Sequence, residues 1–510
     1  MGTIVSKARL IVYATLQLSK TYDELKKRLD ESPGLPLPSP TLPLWTVPAT
    51  TIGLDPPDTL PEYADVVIIG SGITGTSFAY NALARTSGLS VVMLDAREVC
   101  SGATGRNGGH VNPPLYHDHA ELSSRHGPAH ARALIDFRLA HLAELLRVAT
   151  AEGIVTRGQV RATEHLDVYT SEETFAEAKD KLAQWRAEMP EAAEGFMSYE
   201  REEAIKRFHL SEQTAGCITN PGGAMHPYRF VTSLLSTLLE RHPDNFHIYA
   251  RTPCTSITVS SPSAHPYTVH TPRGSIRATH VVHATNGWSS HLLPALRAKI
   301  VPVVGNMSAQ RPGRALHPST LHGARSFVFY KSGAGYDYLT QLPSSPSPSA
   351  ADENENELMF GGGHTAQSYL AGALPQFFGL RNWGADASPP SPRPRHIHRD
   401  WGPGRSKAQW SGVLGISATC SLGERPGRRR ALVLRAAARG EKAAGHRRAG
   451  EWIAAGYSGE GMVHAWMSGK ALARWCSSGR RLAGWFPEIL RVTEKRWREA
   501  NVEELFARFM

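Results

Sequence analysis

Gly70, Gly72 and Gly75, in the run Gly70-Ser71-Gly72-Ile73-Thr74-Gly75, are spaced to bring bare backbone against a diphosphate. Asp95 stands 20 residues past the last of them, where a carboxylate can take both hydroxyls of a ribose. Each glycine has its own reason. Gly70 permits a tight turn, Gly72 keeps a Cβ away from the phosphates, and Gly75 lets a following helix pack closely on the preceding strand. The free N–H groups at the start of that helix face the same anion, together with the positive end of the helix dipole.

This chemistry needs a frame, and the flanking residues supply it. Asp65-Val66-Val67-Ile68-Ile69 reads as a buried parallel strand, Ile73 to Arg85 as an amphipathic helix, and Ser90-Val91-Val92-Met93-Leu94 as a second strand ending on Asp95. Strand, glycine turn, helix, strand and acid form a complete βαβ dinucleotide-binding unit, so the fold class is α/β and Rossmann-like.

Other residues with chemical potential lie further along. Ser101-Gly102-Ala103-Thr104-Gly105-Arg106-Asn107-Gly108-Gly109-His110 is too rich in glycine for a core element. Tyr336 and Tyr338 alternate on a strand, Tyr336 to Gln341, and so share a face where aromatic rings can hold an ammonium or its alkyl groups. His117-Asp118-His119 has the residue types of a metal site but the spacing of a solvated loop. His396 and His398 read the same way, and no metal is expected.

The elements between these stretches alternate. Helices are expected over 128–152, 172–188 and 227–241, and strands at 164–169, 247–249, 255–259, 267–270, 280–284, 301–307 and 358–363. Asn220-Pro221-Gly222-Gly223-Ala224 reads as a turn before the helix at 227. Residues 4–30 read as an amphipathic helix. Pro33 to Pro57 is a proline-rich arm that carries Trp45 and lies as a strap on the body. Ser344 to Glu357 reads as an exposed loop.

Composition bounds the function classes. A chain of 510 residues has room for a large core and two domains, and 41% hydrophobic with 20% charged residues suits a globular protein. No apolar run reaches the roughly 18 residues of a membrane span. The five cysteines are scattered without a CxxC pair, which points to a reducing compartment, read as cytoplasmic, and to no zinc or iron–sulfur site. The net charge of +10 is not a nucleic-acid signal: between Gly379 and Gly450 there are 15 Lys/Arg against 4 Asp/Glu, and the remainder is close to neutral. Met1-Gly2-Thr3-Ile4-Val5-Ser6 fits a myristoylation pattern and allows weak lipid anchoring.

Four separated segments, in order, resemble the D-amino-acid-oxidase/glycine-oxidase/sarcosine-oxidase superfamily of FAD-dependent oxidoreductases, and most of all its fungal members. They are Val67 to Asp95; Gly102 to His110; His283-Ala284-Thr285-Asn286-Gly287-Trp288; and Ala454-Ala455-Gly456-Tyr457-Ser458-Gly459-Glu460-Gly461-Met462. The resemblance implies an FAD-binding domain and a discontinuous α+β substrate domain with a mostly antiparallel sheet. It implies cofactor contacts from Gly70, Ser71, Gly72, Ile73, Thr74, Gly75, Asp95 and Ala96. Further contacts come from Gly102, Ala103, Thr104, Arg106, Asn107, Gly108 and Gly109, with Arg106 and Asn107 near the pyrophosphate or ring edge. Cys254 falls where a backbone stretch touches the adenine, and it also reads as a buried structural thiol. Ala284, Thr285 and Gly287 pass close to the cofactor. Gly456, Gly459, Glu460, Gly461 and Met462 open a helix whose first N–H groups face the flavin's pyrimidine edge and stabilise negative charge there.

The activity implied is oxidation of a C–N bond in a small amine or amino acid. Hydride passes to the flavin, the imine leaves, and O2 reoxidises the flavin to give H2O2. The alternatives are a dehydrogenase with another electron acceptor, and an impaired flavoprotein. Candidate catalytic residues are Tyr336, Tyr338 and His110, and Arg229 and Arg325 are candidates for a carboxylate. Some relatives attach FAD through a cysteine near Gly361-Gly362-Gly363. No cysteine stands there, so the cofactor is expected to be non-covalent, with His110 leaving another link open. From Thr419 to Arg448 the family pattern breaks into Arg428-Arg429-Arg430 and an Ala/Arg stretch, as a shifted reading frame or an insertion would produce. The domain division is therefore 1–60 for the N-terminal helix and arm; 61–155, 215–300 and 405–480 for the FAD-binding domain; 156–214 and 301–400 for the substrate domain; 419–448 for the basic segment; and 481–510 for a C-terminal helix.

Overall fold

The computed structural model describes residues 19–501 apart from 21, 25, 39, 55–58, 261–263, 312–321, 331–335, 344–355, 363–404, 419–431, 437–448 and 479–483. The strands in chain order are β1 (Tyr63–Ile69), β2 (Val91–Leu94), β3 (Arg161–Tyr169), β4 (Met197–Glu200), β5 (Gly216–Ala224), β6 (Phe246–Tyr249), β7 (Ser256–Val259) and β8 (Tyr267–Thr271). They continue as β9 (Gly274–His283), β10 (Ile300–Arg311), β11 (Arg325–Tyr330), β12 (Tyr336–Gln341), β13 (Leu358–Gly362), β14 (Arg405–Ser417), β15 (Leu432–Ala436) and β16 (Gly450–Ala455).

The first sheet has the order β15-β16-β9-β1-β2-β6, with the β7–β8 hairpin laid on β9. From β16 to β6 it is parallel, and β15 joins antiparallel at the edge. Val66 to Ile69 and Val91 to Leu94 are buried on both faces, which is what a sheet covered by helices on each side requires. Helix Ile73–Leu83 crosses from β1 to β2, and helix Ala465–Ser478 packs beside it. Their backbones approach closely: a Cβ on Gly469 would lie 2.5 Å from Thr74 O.

The second sheet runs β14-β10-β13-β12-β11-β3-β5-β4 and is antiparallel except where β11 pairs with β3. Helices Leu115–His126, Pro128–Ala151 and Glu172–Glu188 pack around it. The arm is a strap as expected. Leu44, Trp45 and Thr46 are buried, and the Trp45 indole donates to Asn107 O at 2.5 Å.

Several expectations are corrected. Asn220 to Ala224 is no turn but the end of β5, paired with β3 from Pro221↔Glu164 to Ala224↔Arg161. Pro221 is exposed beyond the stretch that pairs with β4, so its missing N–H costs no ladder bond. β5 and β14, within the segments expected for the FAD-binding domain, stand in the second sheet. Of the basic segment, residues 432–436 form β15 on β16, and the rest of 419–448 lies outside the described residues. The C-terminal helix is described only as Glu494–Glu499. The N-terminal helix is seen over 19–30 where described. Met1 to Ser6, residues 344–355, Gly363, His396 and His398 also lie outside the described residues.

Candidate functional site

The glycine turn between β1 and the helix at Ile73 is tightly built. Gly70 has φ +107°, and a Cβ there would sit 2.6 Å from Ala284 O. A Cβ on Gly75 would lie 2.0 Å from Gly70 O, so the helix seats on the turn only because residue 75 lacks a side chain. Asp95 Oδ2 accepts from Ser71 N at 3.0 Å and Ser71 Oγ at 2.5 Å, and Oδ1 accepts from Arg97 N at 3.1 Å. Burial raises the Asp95 pKa against the opposing pull of these bonds. Ile73 N donates to Thr104 Oγ1 at 3.0 Å, which ties the turn to the second glycine stretch.

That stretch holds a short 3-10 helix, Ala103–Arg106, pinned from three sides. Arg106 is 6% exposed and donates to Ser101 O, Thr41 Oγ1 and Ser411 O. The Trp410 indole donates to Arg106 O, and Asn107 Nδ2 donates to Ala103 O, Thr104 O and Met462 Sδ. Arg106 thus fastens loop, strap and β14 together.

A cavity of about 310 Å³ opens where this loop, the distal glycine turn and one face of the second sheet meet. Ala103, Arg106, Asn107, Gly108 and His110 line it from the loop, Gly459, Glu460 and Met462 from the distal turn, and Tyr336 and Tyr338 from β12. Tyr338 lies across bare backbone: a Cβ on Gly108 would meet its Cε2 at 2.6 Å, and one on Gly361 its Cζ at 2.5 Å. Its hydroxyl donates to Met307 Sδ at 3.2 Å, and burial pushes its pKa well up.

His110 sits in a network that its sequence neighbours did not announce. Asn112 Oδ1 accepts from Gly223 N at 2.8 Å, which fixes the amide's orientation. Its Nδ2 then lies 3.0 Å from both His110 Nδ1 and His165 Nδ1, and 2.9 Å from Ser326 Oγ. An amide NH2 only donates, so His110 accepts at Nδ1 and carries its proton on Nε2, while His165 Nδ1 also lies 3.0 Å from Ser326 Oγ. His165 Nε2–H donates to Asp167 Oδ1 at 3.2 Å, while His110 Nε2 is buried with no hydrogen-bond partner among the described residues. Burial, with His165 and Arg161 nearby, holds the His110 pKa well below its ordinary value, so it is a neutral donor. Gly222 makes this possible, because a Cβ there would lie 2.2 Å from Asn112 Oδ1.

The distal turn is fixed by a buried ion triad. Arg138, whose side chain is 1% exposed, reaches Asp118 Oδ2 at 2.9 Å and Glu460 Oε2 at 2.8 Å. His117-Asp118-His119 is therefore not a solvated loop. It is the first turn of helix Leu115–His126, with Asp118 and His119 buried, and the described residues contain no cluster able to hold a metal. The turn itself makes one 3-10 turn, Gly461–Val463, and the α-helix starts only at Ala465.

Other placements differ from expectation. A Cβ on Gly287 would meet Leu414 O of β14 at 2.9 Å, so sheet packing demands that glycine. Cys254 is buried in the apolar cluster with Val67, Ile69 and Tyr249, as its structural reading allowed. Arg325 pairs with Glu164 at 2.8 Å and stacks on Phe208, and neither it nor Arg229 lines the cavity. Missed altogether were Asn112, Tyr116, Arg138, His165, Asp167 and Tyr330. The alternation of His165, Asp167 and Tyr169 along one strand was the available signal, since polar residues at every second position mark a polar face.

Residues 65–475 match the family model described as FAD dependent oxidoreductase. A curated relative, the probable oxidoreductase OrdL of Rhizobium meliloti (strain 1021), is 27% identical over 271 residues. The match covers 52% of this chain and 58% of that protein, so the chain spans little more than half of the relative's length. Among solved structures, glycine oxidase from Geobacillus kaustophilus has a TM-score of 0.58 at 17% identity, covering 85% of this chain and 99% of that one. L-proline dehydrogenase from P. horikoshii has a TM-score of 0.58 at 17% identity, covering 86% and 98%. At these identities the likeness is one of fold.

Proposed function

The chain belongs to the FAD dependent oxidoreductase family, and on that premise we propose that it oxidises a C–N bond in a small amine or amino acid. The observation that carries this reading is the single cavity in which the glycine loop, the distal turn and an aromatic sheet face converge. It is a concave site in which aromatic faces stand beside histidine, amide and carboxylate groups, a lining that suits one small molecule positioned against a cofactor.

The residues fit FAD. The turn at Gly70 and Gly72 exposes backbone at a helix N-terminus, which suits a diphosphate, and Asp95 at the end of β2 suits a ribose. Ser101 Oγ, in the loop joined to Ser71 through the Cys100 N–H, is buried without a partner among the described residues. FAD, when bound, supplies the acceptor for two electrons from the substrate. We infer non-covalent binding: none of the described cysteines lines the cavity, and Asn112 engages His110 Nδ1.

The chain's own residues orient the substrate and dry the site. Desolvation in the cavity lowers an amine's pKa and favours its neutral, oxidisable form. Tyr336 and Tyr338 wall its alkyl part, and His110 Nε2–H offers one neutral hydrogen bond. The imine then leaves and hydrolyses, and O2 is the proposed final acceptor, giving H2O2. No described helix is long and apolar enough to cross a membrane.

The test is anaerobic mixing of the FAD-loaded chain with a panel of amines and amino acids, following the oxidised flavin absorbance. Bleaching by at least one class is expected, with peroxide released on admitting air. A protein that takes up no flavin, or whose flavin no member of the panel bleaches, refutes the proposal. Bleaching without peroxide supports a dehydrogenase with another acceptor.

A further inference from the structure

We infer that the cavity's far end, at Asp167, receives a second cationic group, so that the substrate is an elongated amine with positive charge remote from the bond oxidised. This rests on the amine-oxidising reading above.

The strand register lays the cavity out as a ruled surface. One row across the second sheet runs Met307, Gly361, Tyr338, Val328, Asp167, on β10, β13, β12, β11 and β3. Residues paired in register point to one face, and Met307, Tyr338, Val328 and Asp167 all line the cavity. Strands lie about 4.8 Å apart, so Asp167 stands roughly 10 Å from Tyr338. The next row is Tyr336, Tyr330, Tyr169, all lining the same cavity, with Tyr330 and Tyr169 stacked at 5.1 Å. A path of aromatic faces thus leads from the loop end, where Tyr338 meets His110 at 5.3 Å, to the acid.

Asp167 is 4% exposed and ionised. Burial would raise its pKa, but hydrogen bonds from His117 and His165 outweigh that and hold it well below the usual carboxylate range. Its partners are the imidazoles of His117 and His165 and the Tyr116 phenol, at 2.7 Å. A buried carboxylate gains from a full counter-charge, and among the described residues no lysine or arginine is bonded to Asp167. The guanidinium groups nearby are committed elsewhere, Arg106 to carbonyls, Arg138 to Asp118 and Glu460, and Arg325 to Glu164, while Lys181 lines the cavity from helix Glu172–Glu188. An ammonium entering past Tyr330 and Tyr336 would meet aromatic faces and then the carboxylate, the two features that favour a cation over a neutral tail.

The experiment compares straight-chain monoamines with α,ω-diamines of matched length on the FAD-loaded full chain, reading the concentration for half-maximal flavin reduction. Diamines of matching length are expected to act at concentrations about tenfold or more below monoamines. Asp167→Asn is expected to collapse that ratio by about the same factor while flavin absorbance shows the site intact. Tyr330→Leu, read by the same ratio, covers the case in which Asp167→Asn fails to fold. Equal ratios in native chain and variants, or monoamines outperforming diamines while still bleaching the flavin, would overturn this inference and leave the proposed function standing. Failure of every amine and amino acid to bleach would overturn both.

Discussion

Replacing Arg138 by Met tests how the distal turn is held. The guanidinium is almost fully buried and touches Asp118 at 2.9 Å and Glu460 at 2.8 Å, carboxylates whose side chains are only 4% and 13% exposed. The pull of these two acids outweighs burial and raises the Arg138 pKa, so the cation is firmly held. Removing it leaves two like charges facing each other with little water. Breaking a buried ion pair in this way costs about 3–5 kcal/mol. The loss falls on helix Leu115–His126 and on the Glu460 turn, both of which border the cavity, so FAD affinity should weaken along with stability. Urea unfolding of the flavin-free and flavin-loaded chain measures both. The triple variant Arg138→Met, Asp118→Asn, Glu460→Gln removes the charges together and should recover most of the loss, because the penalty lies in the orphaned acids. A single variant that loses less than about 1 kcal/mol, or a triple variant as unstable as the single, refutes the reasoning.

Three further outcomes follow from the same contacts. Gly70→Ala forces a side chain at φ +107° onto Ala284 O and should yield a colourless protein; a yellow variant with native flavin content contradicts the assignment of the turn. Asn112→Asp replaces a donor with an acceptor beside His110 Nδ1, favours the imidazolium, and should move the acidic limb of the kcat–pH profile upward; an unchanged profile denies the tautomer assignment. His141 is wholly buried, donates from Nδ1 to Phe137 O, accepts at Nε2 from Met467 N, and has its pKa lowered by burial to about 4. The unfolded chain binds that proton near pH 6.5, so this contribution to stability is complete above that pH and fades as pH falls toward 4, reaching a loss of about 2 kcal/mol at pH 5. His141→Gln should flatten the fall in unfolding free energy between pH 6.5 and 5 by that amount, and an equal slope in the variant would show that another group governs it.

The features legible in the residues alone are those that local backbone chemistry dictates. The glycine turn, its flanking strands and the acid at 95 lie within about thirty residues, and each step follows from sterics and hydrogen bonding inside that window. The same holds for Tyr336 and Tyr338, whose shared face is a consequence of strand pleat. Only tertiary structure decided the rest. Gly222-Gly223 has the composition of a turn, yet glycine serves equally where another side chain must come close, and here Asn112 and Leu142 fill the space. Asp167 reaches the row of Tyr338 because β3 pairs with β11, more than 150 residues away in the chain, and β11 pairs in turn with β12. Arg138 meets Glu460 across 322 residues. Such neighbours are chosen by register and packing, which depend on the whole chain at once, and no short window of residues carries that information.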